Sequence, residues 1–275
     1  MIYFVTPAWQ RYELSEVCFE QRKRVIDRLN SEGIEAHCVV VADDENIDLA
    51  LSAGFEIVEQ NNEWLGRRFN DGIEYAARNG ATWIVPIGSD SWIDPAYLLP
   101  LPEQSRTSGN YAVVTGDRMG VLEVGERNPA GPHMIHRSTL PESLRPARDE
   151  LNRYVDSSTL AGLQGVEWES RKVHPLQYIG FRGQPHLTPY DRLWRAWGVR
   201  ESTDPWTELA AVYPTDLVDR ARRCLSSAPA LTSPESASRS SGPSTATPRS
   251  RCATSHGSAS STTIRPTLSG ANERI

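Results

Sequence analysis

The chain has 275 residues, 23% of them charged, and its formal net charge is −6 at neutral pH. This acidic balance disfavours non-specific binding to nucleic acid, which needs a basic surface. No apolar stretch is long enough to span a bilayer, which disfavours an integral membrane protein.

The segment MIYFVTPAW at the start of the sequence resembles a β-strand. It lacks the basic start and long apolar core of a signal peptide, so we expect a cytoplasmic protein. The four cysteines, at positions 18, 38, 224 and 252, form no Cys-x-x-Cys pair. This spacing indicates reduced thiols rather than a metal site or a disulfide framework.

Composition divides the chain near residue 225. Residues 1–224 hold all eight Trp and all nine Tyr, whereas residues 225–275 contain no aromatic residue and are dominated by Ser, Thr, Ala and Pro. A segment of this composition buries too little apolar surface to offset the entropy cost of ordering. We therefore expect a globular domain over 1–224 and a disordered C-terminal tail over 225–275.

Hydrophobic patterning predicts alternating strands and helices in the first hundred residues. The expected strands cover 2–5, 36–42, 56–59 and 82–87, and the expected helices cover 14–29, 45–54 and 64–78. Later segments favour strands over 111–115 and 120–124, a helix within 147–163 and an aromatic-rich helix over 190–197.

Strands and helices that alternate in this way predict an α/β fold with a mostly parallel sheet. Ligands of such sheets bind outside the carboxyl ends of the strands. Three strand ends carry polar residues, namely Thr6-Pro7, Asp43-Asp44 and Ser89-Asp90-Ser91. These three connections are therefore the expected binding site.

The same segments carry a family resemblance. The motifs are VTPAW after the first strand, VVVADDEN at the second, WLGRRFNDGIEYAARNGATWIVPIGSD across the next helix and strand, and SWIDP after it. In order and spacing they resemble the GT-A glycosyltransferases of the family 2 type. The resemblance implies a three-layer GT-A-like sandwich, with a nucleotide-sugar-binding half over 1–100 and an acceptor half over 101–224.

The resemblance assigns the donor-binding residues. Asp43 or Asp44 would accept a hydrogen bond from the nucleobase, usually uracil, because a carboxylate is an acceptor only. The other donor-binding residues that it implies are Thr6, Pro7, Ala8, Arg68, Asn70 and Ser89. Two alternatives stay open here: Asp44 could instead begin the following helix, and Arg68 could belong to a solvated helix face beside Arg67.

The family places a divalent cation, Mg²⁺ or Mn²⁺, on an Asp-x-Asp motif at the fourth strand end. This sequence keeps only the second acid, Asp90, since Gly88 stands at the first position and Ser91 follows. A single carboxylate implies a cation that is weakly bound or dispensable. The alternative role of Asp90 is to form the turn in GSDS.

Transfer with inversion needs a general base for the acceptor hydroxyl. The resemblance places it near a helix start in the second half, where Asp149, Glu150 and Asp156 are candidates. Asp156 precedes small hydroxyl residues and an apolar run, so we choose it as the catalytic residue. It could instead act only as a helix N-cap.

These patterns predict an inverting glycosyltransferase that moves a sugar from a nucleotide donor, UDP-linked by expectation, to an acceptor hydroxyl on a glycan, a protein or a modified nucleic-acid base. One alternative is a sugar-nucleotidyltransferase, whose first loop is typically rich in glycine, whereas TPAWQR has none. A second alternative is a non-catalytic nucleotide-binding protein, which the missing acid at position 88 favours.

Overall fold

Two β-sheets that share one long helix form the described part of the chain. The computed structural model describes residues 1–98, 106–109, 111–116, 118–122, 134–152, 155–164, 169–171, 174–182, 200–202 and 204–226. All of them lie within the unit Met1–Leu231. Among these residues no helix has the length and apolar character needed to cross a membrane.

The elements follow one another along the chain with short connections. The strands are β1 Ile2–Pro7, β2 Ala36–Ala42, β3 Glu56–Glu59, β4 Trp83–Pro86, β5 Ser91–Ile93, β6 Arg106–Gly109, β7 Tyr111–Thr115, β8 Arg118–Leu122, β9 Met134–His136, β10 Glu169–Arg171, β11 Tyr178–Phe181 and β12 Arg200–Ser202. The α-helices are α1 Tyr12–Ser31, α2 Asn46–Ser52, α3 Leu65–Arg78, α4 Pro95–Leu98, α5 Val155–Gly162, α6 Pro205–Ala210 and α7 Thr215–Ser226. Two 3₁₀ turns cover Arg137–Thr139 and Pro175–Gln177.

The larger sheet has the order β10-β6-β9-β4-β1-β2-β3. Its central strands β4, β1, β2 and β3 are parallel, with Ile2 opposite both Ala36 and Trp83, and β9 is antiparallel to β4. The smaller sheet has the order β12-β8-β7-β11-β5 and is mainly antiparallel. The predicted α/β fold with a mostly parallel sheet is confirmed.

The larger sheet is covered by helices on both faces, and the side chains of β1 alternate between these two faces. Ile2 and Phe4 pack on one face with α1 and α2, whereas Tyr3 and Val5 pack on the other face with α3. Successive side chains of a strand point to opposite faces, so a strand that is apolar at every position is covered on both sides. The predicted three-layer sandwich is confirmed.

Helix α3 packs against the sheet with Gly72 facing β1 and β2. A Cβ atom at this position would lie 2.4 Å from Cγ1 of Val5 and 3.0 Å from Cγ2 of Val41. Any larger residue would push the helix outward, so the glycine fixes the distance between helix and sheet.

The smaller sheet has its own core, to which α1 contributes its first half. Leu14 and Val17 of α1 pack with Trp92 of β5 and with apolar residues of β7, β8, β11, α6 and α7. Neither α6 nor α7 was among the predicted elements. Leu217, Val218, Ala221 and Leu225 are all buried, and this helical spacing is the signal that could have identified α7.

The structure corrects several predicted boundaries. The strand expected at 120–124 is Arg118–Leu122, and the helix expected within 147–163 is only Val155–Gly162. Residues 147–152 are irregular, and their backbone carbonyls accept hydrogen bonds from the first turn of α3: Gly66 N donates to Leu151 O and Arg67 N to Asp149 O. Helix α7 continues past the boundary expected at 224. The helix expected at 190–197 and the tail beyond 226 lie outside the described residues.

A buried arginine joins the two sheets through α1. Arg22 is completely buried, and its Nη1 donates to Oγ1 of Thr6 at 2.5 Å. Its Nη2 donates to the carbonyl oxygens of Gly88 at 3.0 Å and Ser91 at 3.1 Å. One guanidinium therefore holds the end of β1 and the connection from β4 to β5 in a fixed relation.

Replacing Arg22 by methionine should destabilise the fold. The variant leaves one hydroxyl and two carbonyl groups buried without their donor, and we expect the free energy of unfolding in urea to fall by about 3–5 kcal/mol. Arg28→Met is the control, because Arg28 lies in the last turn of the same helix and its side chain is 67% exposed. It should change the free energy of unfolding by less than about 0.5 kcal/mol. A loss of less than 1 kcal/mol in Arg22→Met would contradict this role.

A pair of truncations tests where the domain ends. Leu225 is only 7% exposed, so ending the chain after Cys224 should lower the free energy of unfolding by about 1–3 kcal/mol. Ending it after Ser226 keeps Leu225 and should leave the melting temperature unchanged if residues 227–275 have no part in the core. Equal losses in both truncations would show that the tail contributes to stability.

Candidate functional site

The connections after β1, β2 and β4 leave the larger sheet at the same edge. Pro7 pairs with Val41, and Val5 pairs with Pro86, so the three parallel strands end side by side. The ladder continues briefly past their ends, since Ala8 N donates to Val41 O at 3.0 Å and Ile87 N to Val5 O at 2.9 Å. The edge is therefore a rigid base for the side chains that follow.

The predicted residues of the first connection are buried, not exposed. Thr6, Pro7 and Ala8 are covered, and the hydroxyl of Thr6 accepts the hydrogen bond from Arg22. The accessible side chain is that of the next residue, Trp9, which is 40% exposed. Any ligand of this loop would contact Trp9 before it reached the three predicted positions.

Two consecutive residues of this loop, Gln10 and Arg11, have a left-handed backbone with φ of 53°. Non-glycine residues rarely adopt this conformation, and surrounding contacts must hold them in it. Gln10 N donates to Oδ2 of Asp44 at 2.8 Å, and Nδ2 of Asn46 donates to Gln10 O at 3.3 Å. The strained turn is thereby attached to the end of β2.

Asp44 is occupied by these local contacts. Besides Gln10 N, it accepts hydrogen bonds at Oδ1 from the backbone N of Asn46 at 3.0 Å and from its Nδ2 at 2.8 Å. Both carboxylate oxygens thus serve the loop and the start of α2, which favours the structural alternative for Asp44.

Asp43 differs from its neighbour because it is exposed. Its Oδ2 accepts a hydrogen bond from Asn62 N at 2.9 Å, and its Oδ1 has no hydrogen-bond partner among the residues that the structure describes. One acceptor oxygen at the strand end is therefore fixed in place and open to a ligand.

Arg68 lies beneath this edge and is not part of a solvated face. It is 1% exposed and donates to the carbonyl oxygens of Ala8 and of Val41, the latter at 2.5 Å, and to the side chain of Asn62. Burial lowers the pKa of its guanidinium. Arg68 therefore supports the donor-side loops from within.

Asn70 is also buried and holds residues 147–149. Its Oδ1 accepts from Ala147 N at 2.9 Å, and its Nδ2 donates to Ala147 O at 2.8 Å and to Oδ1 of Asp149 at 2.7 Å. These contacts occupy the side-chain amide. A direct contact with the nucleotide, as predicted, would have to break them.

Asp149 is a poor general base for a physical reason. Burial raises the pKa of its carboxyl, but hydrogen bonds from Asn70 and Arg145 outweigh that effect and lower the pKa overall. Arg145 donates to it at 2.9 Å and also binds Asp71 and Glu74. A carboxylate stabilised in this way accepts a proton less readily. The side chain of the preferred candidate, Asp156, lies outside the described residues.

Asp90 lies in the connection between β4 and β5, where the two sheets meet. Its side chain is 9% exposed, and its Oδ2 accepts a hydrogen bond from Nη1 of Arg11 at 2.7 Å. Nη1 of Arg182, directly after β11, is 3.9 Å from the same oxygen. The carbonyl of Asp90 accepts from Phe181 N at 2.8 Å, which attaches the connection to the smaller sheet.

Its neighbours explain how the carboxylate reaches this position. A Cβ atom on Gly88 would lie 2.5 Å from Oδ1 of Asp90, so an acid at position 88 would displace the carboxylate as it stands. Ser91 donates to the same oxygen at 3.3 Å. The hydroxyl of Ser89 is buried and has no hydrogen-bond partner among the described residues.

A divalent cation does not fit this set of ligands. The described residues contain no group of three His, Cys, Asp or Glu side chains that could hold a metal ion. The oxygen of Asp90 that would bind it is paired with a guanidinium, and hard cations require several oxygen ligands. The predicted metal role of Asp90 therefore finds no support in the described geometry.

Sequence reasoning missed Trp9, Arg11 and Arg182. Trp9 and Arg11 stand in the loop directly after a buried strand, which is a usable signal. Arg182 lies more than 90 residues from Asp90 in the sequence, so only the pairing of β11 with β5 brings the two together.

No protein-family model and no curated protein matches the sequence. Among solved structures, S. aureus TarS is 13% identical with a TM-score of 0.44, over 66% of this chain and 60% of that chain. A mutant of Drosophila β-1,4-galactosyltransferase 7, in complex with manganese, UDP-Gal and xylobiose, is 9% identical with a TM-score of 0.40, over 71% of this chain and 79% of that one. The T. maritima inositol-1-phosphate CTP transferase is 13% identical with a TM-score of 0.39, over 80% of this chain and 96% of that one.

The TarS alignment spans less than two thirds of that protein, and all three identities are below 25%. All three TM-scores are also below 0.5, so the activity has to be argued from the geometry of the site.

Proposed function

We propose that this protein transfers a sugar from a nucleoside-diphosphate donor to an acceptor hydroxyl. The observation that carries the proposal is the edge where β2, β1 and β4 end. Exposed Asp43 follows β2, exposed Trp9 follows β1, and the arginine-bound Asp90 follows β4. Adjacent strands lie about 4.8 Å apart, so this row spans roughly 10 Å, the scale of one extended nucleotide.

Each position supplies one property that a nucleotide needs. The open oxygen of Asp43 can accept a hydrogen bond from a base N–H such as the imide of uracil, which favours a UDP-linked donor. The exposed face of Trp9 offers a surface on which a base can stack, a contact worth about 1–3 kcal/mol. Arg11 and Arg182 provide cationic donors near the expected diphosphate.

The remaining predicted residues have supporting roles in this proposal. Thr6, Arg68 and Asn70 are buried and hold the loops in place through their hydrogen bonds. Asp44 fixes the left-handed turn that carries Arg11. The donor would therefore contact Trp9 and Asp43, while the buried residues keep these side chains in position.

For the chemical step we propose Asp156, at the start of α5, as the general base that deprotonates the acceptor. Asp149 is the weaker candidate, because its lowered pKa makes its carboxylate a poorer proton acceptor. Asp156 would take the proton of the acceptor hydroxyl, and the acceptor oxygen would attack the anomeric carbon from the side opposite the departing diphosphate, so the transfer would invert the anomeric centre. No step is assigned to Mg²⁺ or Mn²⁺, since the described ligands do not fit one.

A donor screen tests the function. We expect UDP-sugars to raise the melting temperature more than GDP- or TDP-sugars do, and the protein to release UDP from its preferred donor by hydrolysis or by transfer to an acceptor. A sugar-nucleotidyltransferase would instead release pyrophosphate from a nucleoside triphosphate and a sugar 1-phosphate. Binding of nucleotides without either reaction would indicate a non-catalytic protein.

Asp43→Ala should weaken binding of UDP about tenfold, because it removes one hydrogen-bond acceptor for the base. Asp48→Ala removes a nearby exposed carboxylate on α2 and should bind UDP as the parent does. Isothermal titration calorimetry at fixed ionic strength measures both. Equal affinities in the two variants would place the base pocket elsewhere.

A further inference from the structure

Two arginines, one directly before α1 and one directly after β11, approach the same carboxylate oxygen. Nη1 of Arg11 lies 2.7 Å and Nη1 of Arg182 lies 3.9 Å from Oδ2 of Asp90. The two guanidinium groups are therefore close neighbours although like charges repel. Asp90 acts as the counter-ion that allows them to occupy the same place.

The positions of both arginines are fixed by the backbone. Arg11 is the left-handed residue that precedes α1, and its carbonyl accepts a hydrogen bond from Ser15 N at 2.8 Å. Arg182 N donates to Val114 O at 2.8 Å, and Arg182 O accepts from Oγ1 of Thr115 at 3.1 Å. These backbone hydrogen bonds hold the main chain of both arginines, which reduces the ordering entropy that would be lost on binding an anion.

Both guanidinium groups are also accessible. The side chain of Arg11 is 18% exposed and that of Arg182 is 23% exposed, whereas that of Asp90 is 9% exposed. An incoming anion would therefore meet the arginines first. Guanidinium groups bind phosphate oxygens through two parallel hydrogen bonds, which an ammonium group does not do.

We propose that Arg11 and Arg182 bind the diphosphate of the donor and neutralise its charge without a divalent cation. This inference rests on the proposed function and specifies how the same site holds its donor. Asp90 then has a positioning role: it keeps the two cations together when the site is empty and gives up Arg11 to the diphosphate. As the acceptor oxygen bonds to the anomeric carbon and its proton passes to Asp156, the bond from that carbon to the phosphate oxygen breaks and the arginines hold the leaving nucleoside diphosphate.

The role of Asp90 can be tested by whether Asp90→Asn weakens or strengthens the binding of a diphosphate. If Asp90 were a metal ligand, Asp90→Asn would weaken binding of a diphosphate. If it competes with the diphosphate for Arg11, the same variant should strengthen binding, because the neutral amide no longer holds the guanidinium. The shape of the side chain is almost unchanged, so packing should not obscure the result.

The experiment is calorimetric titration with two probes, inorganic pyrophosphate and UDP, each in excess EDTA and again with added Mn²⁺. We expect the parent to bind both probes in EDTA within about twofold of its affinity with Mn²⁺. Arg11→Gln and Arg182→Gln should each weaken binding of both probes at least ~10-fold, and Asp90→Asn should strengthen it several-fold. Arg28→Gln, at the opposite end of α1, is the matched control and should bind as the parent does.

A second comparison guards against loss of folding. Arg11→Gln removes the ion pair between Arg11 and the buried Asp90, which can destabilise the chain. The double variant Arg11→Gln/Asp90→Asn removes both charges, and it should bind pyrophosphate at least ~10-fold more weakly than Asp90→Asn alone. Both proteins lack the buried charge, so the difference reports the guanidinium.

The outcomes separate the two proposals. Binding that requires Mn²⁺ and is lost in Asp90→Asn overturns the arginine site while leaving nucleotide-sugar transfer intact. Arginine variants that bind like Arg28→Gln also overturn it. Pyrophosphate could follow the expected pattern while UDP binds no more tightly than pyrophosphate and its affinity is unchanged in Asp43→Ala. In that case the anion site stands and the proposed function fails.

Discussion

The hydrogen bonds of one fully buried guanidinium, that of Arg22, hold the site together. Arg22 sits in the middle of α1, at the level where the helix passes from the core of the smaller sheet to that of the larger one. From there it reaches the end of β1 and both sides of Asp90 along the chain, at Gly88 and Ser91. A charged group without water must be satisfied by such partners, so helix, strand end and connection cannot move independently.

This constraint explains why the predicted site divides into two kinds of residues. Thr6, Arg68 and Asn70 face inward and use their polar atoms to fasten loops. Trp9 and Asp43 face outward on the loops that are fastened. A binding site needs both kinds, because exposed side chains recognise a ligand only when a second set of contacts fixes their positions.

The connection between β4 and β5 places one carboxylate beside two guanidinium groups. Gly88 leaves room for the carboxylate of Asp90 to fold back toward the arginines. Among the described residues, Arg11 and Arg182 both lie beside this carboxylate, and the proposed diphosphate site depends on these two cations.

The sequence by itself determined the alternating strands and helices of the first hundred residues. It did so because strands buried on both faces are continuously apolar, as β1 and β2 are, and because their polar ends mark where ligands can bind. The same local reasoning placed Asp43 and Asp90 at the edge of the sheet. It failed for α6 and α7, which were overlooked despite a helical spacing of apolar residues.

Only the tertiary structure decided which polar side chains are available. Arg67 and Arg68 are adjacent in the sequence, yet one pairs with Glu63 at the surface and the other is buried beneath Ala8 and Val41. The partners of Asp90 come from the first loop and from a strand more than 90 residues later. Local patterns report which face of an element is apolar, but burial and ion pairing depend on contacts between distant segments, which no single stretch of sequence encodes.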